Sequence, residues 1–153
     1  VYERQQKVYD FAVKVNKELA NAHIYAKFAW DKGATEAEMK QCLSDICKSQ
    51  WRWDYSLASH GAAFHAPQEV MRLLANSMMY AKDAQLQATR VAAKHGFTGQ
   101  IPLPDISTRE KAAKYVGLDM KTLHAQKQDF LNTVVPKWIE TARKNKRFIT
   151  QPM

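Results

Sequence analysis

The sequence is poor in residues that break helices and in residues that cross-link a chain. It contains only five glycines, five prolines and two cysteines in 153 residues. Few glycines and prolines, together with many Ala, Lys, Gln and Met, favour helices over a sheet. A chain of this length can bury one substantial core. We therefore predict an all-α fold, with residues 1–153 forming a single helical domain.

The two cysteines and the absent sequence motifs exclude several kinds of covalent link and functional site. Cys42 and Cys47 are five residues apart on a predicted helix, where their Cα atoms would be ~8–9 Å apart, too far for a disulfide. We expect two buried thiols. The sequence has no C-x-x-C-H motif for covalent haem attachment, no zinc cage, no phosphate loop and no nucleophile elbow. Read without a family comparison, the sequence therefore says little about reaction chemistry.

Long hydrophobic runs are also absent, so we expect no membrane span, and the N-terminus has no signal-peptide layout. The chain begins at Val1 inside a predicted helix without a cap, which indicates a fragment of a longer protein.

The net charge of +8 is concentrated in residues 107–153, with ten Lys or Arg against four Asp or Glu. Without a nucleic-acid-binding motif, this surplus predicts a solvated helix end and no nucleic-acid partner, with a basic surface-binding bundle as the weaker alternative.

Small and apolar side chains recur at helical spacing in three long stretches. They predict helices over residues 2–32, about 36–60 and about 67–95, the first ended by Gly33 and the second started by a capping box of Thr35 and Glu38. The seams are Val8, Ala12, Val15, Leu19, Ala22, Ala26 and Ala29; Met39, Leu43, Ile46, Gln50, Trp53, Leu57 and His60; and Val70, Leu74, Ser77, Ala81, Ala84, Ala88, Val91 and His95.

The sequence of the C-terminal third predicts two further helices, which follow an extended connection that contains prolines. Ser107 and Glu110 form a second capping box for a short helix ending near Gly117. Asp119 can cap a last long helix to about residue 146, with a kink just upstream of Pro136. The expected architecture is a bundle of three to four long helices plus one short helix.

The second helix carries a further stripe of Cys47, Trp51, Tyr55 and Ala58 on another side. Two apolar faces on one helix predict either a central position in the bundle or contact with something outside this chain. We prefer the second explanation for part of this surface.

His65 is the histidine whose local sequence is most informative. It lies between a glycine stop at Gly61 and a helix start at Pro67, a position favoured by proline. A histidine held in such a bend can direct its imidazole at a metal or a haem iron outside its own helix. The plainer alternative is a hydrogen bond to a neighbouring turn. The other histidines, His23, His60, His95 and His124, are dispersed. His23, His60 and His95 continue or adjoin apolar stripes, so we expect core or partly exposed positions for these three.

Several blocks in order match one known family. They are GATEAEMK from Gly33, QWRWDYSLASHG from Gln50, FHAP with the acidic helix start from Phe64 to Glu69, PDISTREKA from Pro104 and VVPKW from Val134. Together they resemble the C-terminal helical region of the ammonia-forming cytochrome c nitrite reductases, also called pentahaem cytochrome c-552, over about residues 3–145. The resemblance implies that this chain is the haem-free C-terminal segment of a multihaem cytochrome. It also implies that this chain contains no catalytic residue, so we expect no activity from the chain alone.

The resemblance also implies properties of the complete protein. Members of the family are periplasmic, calcium-containing homodimers that reduce nitrite to ammonium, with haem c attached upstream of the region matched here. His65 corresponds to the distal axial ligand of an electron-transfer haem, so it is the predicted cofactor and metal ligand. The long helices are expected to form the dimer interface. The other expected partners are the N-terminal haem domain and an electron-donor protein or quinol dehydrogenase; the alternative function is a haem-independent helical scaffold.

Overall fold

The computed structural model describes residues 2–59, 61–145 and 147. Over these ranges the chain is all-α and has no strand, which confirms the predicted fold class. The chain divides into two compact units, one ending at Leu103 and the other starting at Pro104. The single-domain description of residues 1–153 stays a prediction. The helical segments are α1 (Tyr2–Asp31), α2 (Glu36–Ala58), the single turn α3 (Ala62–His65), α4 (Pro67–Lys94), α5 (Arg109–Tyr115), α6 (Met120–Thr133) and α7 (Val135–Lys144).

The first unit is built around α4, which packs along both α1 and α2. The predicted seam of α1 is buried throughout, from Val8 to Ala29, as is the seam of α4 from Val70 to Val91. Beyond Leu19 in α1 and Leu74 in α4, six of these buried positions are alanines, and such small side chains let the helix backbones approach closely. The alanine-rich seams therefore form the core of this unit.

Two buried serines form the shortest side-chain hydrogen bonds between α2 and α4 among the described residues. The Ser49 hydroxyl donates to the Ser77 carbonyl and the Ser77 hydroxyl to the Ser49 carbonyl, each at 2.8 Å. The two hydroxyl oxygens are 3.0 Å apart. Each hydroxyl thus satisfies its donor on the facing backbone, so the crossing is both close and hydrogen-bonded.

The buried face of α2 differs from the predicted one. Leu43 and Leu57 are exposed, whereas Cys42, Ser49 and Ser56 are buried with Met39 and Ile46. Contact with α4 selects this neighbouring face because its small side chains admit a close crossing, which bulky leucines would prevent. His60, also assigned to that seam, lies outside the described residues.

The prediction of two buried thiols is half wrong. Cys42 is buried and donates to the Ala84 carbonyl at 3.4 Å, while Cys47 is exposed. Burial, aided by the negative charge of Asp45, raises the pKa of the Cys42 thiol to about 11. The exposed stripe of α2 contains Cys47, Trp51 and Tyr55, and the two aromatic rings stack with centroids 5.4 Å apart.

The junction of α1 and α2 has the predicted capping box. The Thr35 hydroxyl accepts from the Glu38 backbone N–H, and the Glu38 carboxylate accepts from the Thr35 N–H at 3.0 Å. The same carboxylate also contacts His95 Nε2 at 3.0 Å, at the end of α4. These contacts, first the Thr35 backbone and then His95, lower the pKa of Glu38 to about 2.

This carboxylate predicts a pH dependence of stability. Its pKa lies below the ordinary value of 4.5, so the unfolded state binds more protons between those values. The contribution of Glu38 is therefore complete above about pH 4.5 and is lost as the pH falls towards 2. We expect Glu38→Gln to flatten the pH dependence of the unfolding midpoint in this window. Glu36→Gln, an exposed neighbour in the same first turn, is the control; equal pH profiles for the two variants would contradict the prediction.

The second unit contains α5, α6 and α7. Thr108 caps α5, accepting from the Lys111 N–H at 3.3 Å, and not Ser107 as predicted. The reason is local: the Ser107 N–H donates to the Asp105 carboxylate at 3.0 Å, which holds Ser107 in the preceding turn. Asp119 caps α6, as predicted.

The chain breaks near Pro136 into two helices, where one long helix with a kink just upstream of that proline was predicted. Proline has no backbone N–H to continue the helical hydrogen bonds and its ring clashes with the preceding turn, which explains the break. Helix α6 ends at Thr133, Val134 lies at the junction, and α7 begins at Val135. The two helices contain no buried side chain among their described residues. Phe130 of α6 and Trp138 of α7 contact each other edge to face, with ring centroids 5.3 Å apart. Their apolar side chains, including Leu123, Leu131 and Ile139, remain partly accessible. Lys146, the predicted end of the last helix, lies outside the described residues.

Candidate functional site

The backbone before His65 forms a single helical turn rather than an open bend. Gly61 has a φ of +84°, a left-handed conformation that favours glycine. The N–H of His65 donates to the Gly61 carbonyl at 2.9 Å, and the N–H of Ala66 donates to the Ala62 carbonyl at 2.8 Å. His65 is thus the last residue of a closed turn whose backbone is fixed on both sides.

The turn ends because a proline follows. Ala66 has a φ of −136° and a ψ of 56°, outside the helical region that a residue before proline avoids. Pro67 then occupies the first turn of α4, as predicted, and the Val70 N–H donates back to the Ala66 carbonyl at 3.1 Å. The chain changes direction at Ala66, so His65 lies where α3 meets α4.

The imidazole of His65 is exposed at this junction. Its ring contacts Phe64 edge to face, with centroids 4.7 Å apart. A Cβ at Gly61 would lie 3.5 Å from His65 Cδ2 and 3.9 Å from Nε2, so a side chain there would touch the ring. No side-chain hydrogen bond joins the His65 ring to any residue that the structure describes. Its nitrogens therefore remain available to an external group.

His65 opens onto a groove of about 940 Å³ between the first turns of α1 and α4. The groove combines an apolar wall of Val8, Pro67 and Met71 with two cationic side chains, Arg4 and Lys7. The side chain of Glu69 also lines it, but this carboxylate is paired with Arg72 through two hydrogen bonds of 2.5 and 2.8 Å. Those bonds lower the pKa of Glu69. The groove thus combines an imidazole with apolar side chains and a surplus of positive charge.

The other histidines do not join this site. His95 is bound to Glu38, as the prediction of a partly exposed, satisfied histidine requires, and His23 and His124 are exposed on α1 and α6. His60 lies outside the described residues. In the described part of the chain, no three His, Cys, Asp or Glu side chains cluster so that they could hold a metal ion.

Sequence reasoning missed Arg4 and Lys7. They lie in the first turns of α1, far from His65 in the chain, and their charges resemble those of many exposed helical residues. Only the packing of α1 against α3 and α4 brings them to the His65 groove.

None of the described helices is sufficiently long and apolar to traverse a bilayer.

Comparison with known proteins gives consistent matches over nearly the whole chain. The family model for cytochrome c552 matches residues 1–147. Cytochrome c-552 of Porphyromonas gingivalis is 57% identical over 143 residues, which cover 94% of this chain and 29% of that protein. Cytochrome c-552 of Bacteroides thetaiotaomicron is 53% identical over 147 residues, or 96% of this chain and 30% of that protein.

The matches cover nearly all of this chain but only part of each relative. The chain spans somewhat less than a third of the length of the curated relatives that it matches. The family model covers 147 of the 153 residues, which establishes membership in the family. Membership in a family of c-type cytochromes implies haem c as the cofactor. This chain belongs to the cytochrome c552 family.

Proposed function

We propose that this chain is the C-terminal helical part of an ammonia-forming cytochrome c nitrite reductase, and that His65 is the distal axial ligand of one of its electron-transfer haems. The observation that carries the proposal is an exposed imidazole, without a side-chain hydrogen bond to any described residue, at the mouth of an apolar groove in a cytochrome c552 family member. Haem-attachment sites and catalysis would belong to other parts of the complete protein.

The residues around His65 fit a haem. A porphyrin is a broad apolar ring with two carboxylates on one edge, and the groove offers apolar side chains, two cations and an imidazole. The haem would supply one-electron redox chemistry at its iron. His65 in its neutral form would donate a ring-nitrogen lone pair, completing a six-coordinate, low-spin site suited to electron transfer.

The local fold would position this ligand without a hydrogen bond to the ring. Gly61 fixes the start of the turn and leaves space beside the imidazole, while Pro67 fixes the start of α4 immediately after it. The edge of Phe64 restricts the ring from another side. These contacts limit the rotation of His65, as an outer shell does for a metal ligand.

The remaining features of the proposal concern assembly. The complete protein would be a periplasmic, calcium-containing homodimer that receives electrons from a donor protein or quinol dehydrogenase. The exposed stripe of Trp51 and Tyr55, at 59% and 53% exposure, supports a dimer contact through the long helices. Apolar side chains of this size are usually covered by a partner when they form a continuous surface.

One experiment tests the functional assignment. The complete reading frame is expected to encode several C-x-x-C-H motifs and one C-x-x-C-K motif, and the purified protein to convert nitrite to ammonium with a reduced dye as electron donor. Ammonium is measured against the nitrite consumed. A complete protein without covalent haem would instead support the haem-independent scaffold, and one that carries haem but forms no ammonium would contradict the reductase assignment.

A further inference from the structure

We propose that Arg4 and Lys7 bind the propionate carboxylates of the haem that His65 ligates and thereby raise the reduction potential of that haem. This inference rests on the proposed function, because it requires a haem in the His65 groove. It adds an electrostatic role for two residues at the start of α1.

The first argument is placement. Arg4 and Lys7 are one helical turn apart on α1, both are exposed, and both line the same groove as His65. Residues separated by three positions lie on one face of a helix. The two cations can therefore act together on one edge of a ligand, with Val8 and Met71 forming apolar surface in the same groove.

The second argument is that these charges are not used elsewhere. Neither Arg4 nor Lys7 forms an ion pair with another residue of the described chain. The acidic side chain in the groove, Glu69, is held by Arg72, with two hydrogen bonds to its carboxylate. The groove thus has a surplus of positive charge, and α4 adds the positive end of its dipole at Pro67.

The third argument is chemical complementarity. A guanidinium can form two parallel hydrogen bonds to a carboxylate, and a lysine ammonium adds a compact point charge. Bound in this way, the propionates would remain ionised, because nearby cations lower the pKa of a carboxylic acid. Cations near the haem favour the ferrous over the more positive ferric iron, so the reduction potential rises.

The test uses the complete haem-containing protein with Arg4→Gln and Lys7→Gln combined. The matched control is Lys14→Gln with Lys17→Gln, which removes two exposed cations from the same helix outside the groove. The haem in question is identified as the one whose low-spin signal disappears in His65→Ala. Its potential is measured by a spectroelectrochemical titration from pH 5 to pH 8.

We expect the groove variant to keep every low-spin signal, to lower the potential of that haem and to steepen its pH dependence, because unpaired propionates take up protons on reduction. The control is expected to leave both quantities unchanged. An equal shift in both variants, or no shift in the groove variant, would overturn the role of Arg4 and Lys7 while leaving His65 as the ligand. Unchanged low-spin signals in His65→Ala would overturn the ligand assignment and this inference with it.

Discussion

His65→Ala in the complete protein is expected to convert one low-spin haem to a high-spin haem. Alanine has no donor atom, so the iron would lose its distal nitrogen and become five-coordinate or bind water. The side chain is exposed and forms no hydrogen bond with a described residue, so the helical fold should be preserved. Electron paramagnetic resonance and visible absorption measure the change, and we expect one high-spin signal for each chain.

The control for this substitution is His23→Ala. His23 is also an exposed histidine of the first unit, but it lies on α1 outside the groove. Every low-spin haem should survive in this control. If the spectra of His65→Ala and His23→Ala are both those of the unmodified protein, His65 is not an axial ligand.

Ser77→Leu is expected to cause a large loss of folding stability. Ser77 is fully buried where α4 crosses α2, and its hydroxyl donates to the Ser49 carbonyl. Leucine would remove that hydrogen bond and force the helices apart, which should lower the free energy of unfolding by roughly 2–4 kcal/mol. Urea unfolding followed by circular dichroism measures the loss.

Two companion variants separate packing from hydrogen bonding at this crossing. Ala75→Leu adds the same side chain at an exposed position of α4 and should change the stability by less than about 0.5 kcal/mol. Ser77→Ala removes only the hydroxyl and should cost about 1 kcal/mol. A Ser77→Leu variant as stable as Ala75→Leu would show that the helices do not approach closely at Ser77.

Much of the helical architecture was predictable because its signals are local. The alanine seam of α1 follows from helical periodicity, and its buried positions are those predicted. Thr35 and Glu38 form the capping box that their spacing indicates, and Pro136 marks the disturbed part of the last helix, although the structure has a break there instead of the predicted kink. Each of these features depends on atoms within one or two helical turns, so the sequence contains the relevant information.

The errors arose where neighbouring residues or helices compete for the same position. Ser107 has the right spacing for a cap, but Asp105 binds its backbone first, so Thr108 is used. Cys47 has a hydrophobic side chain, but the crossing with α4 buries the face containing Cys42 and Ser49 instead. Periodicity identifies apolar faces without specifying which one a partner helix covers.

The same distinction applies to the candidate site. Gly61, His65 and Pro67 could be recognised in the sequence, because a glycine stop and a proline start have fixed local consequences. The groove could not, since it requires the start of α1 to lie beside the start of α4.

By itself, the sequence determined the three long helices of the first unit, most of their ends, and the glycine stop and proline start that flank His65. Only the tertiary structure decided which face of α2 is buried, that α4 packs along two other helices, and that Arg4 and Lys7 share a groove with His65. The physical reason is the distance along the chain over which each kind of interaction acts. Backbone dihedral preferences and capping hydrogen bonds act over a few residues, whereas burial and the summation of charges depend on which distant segments meet.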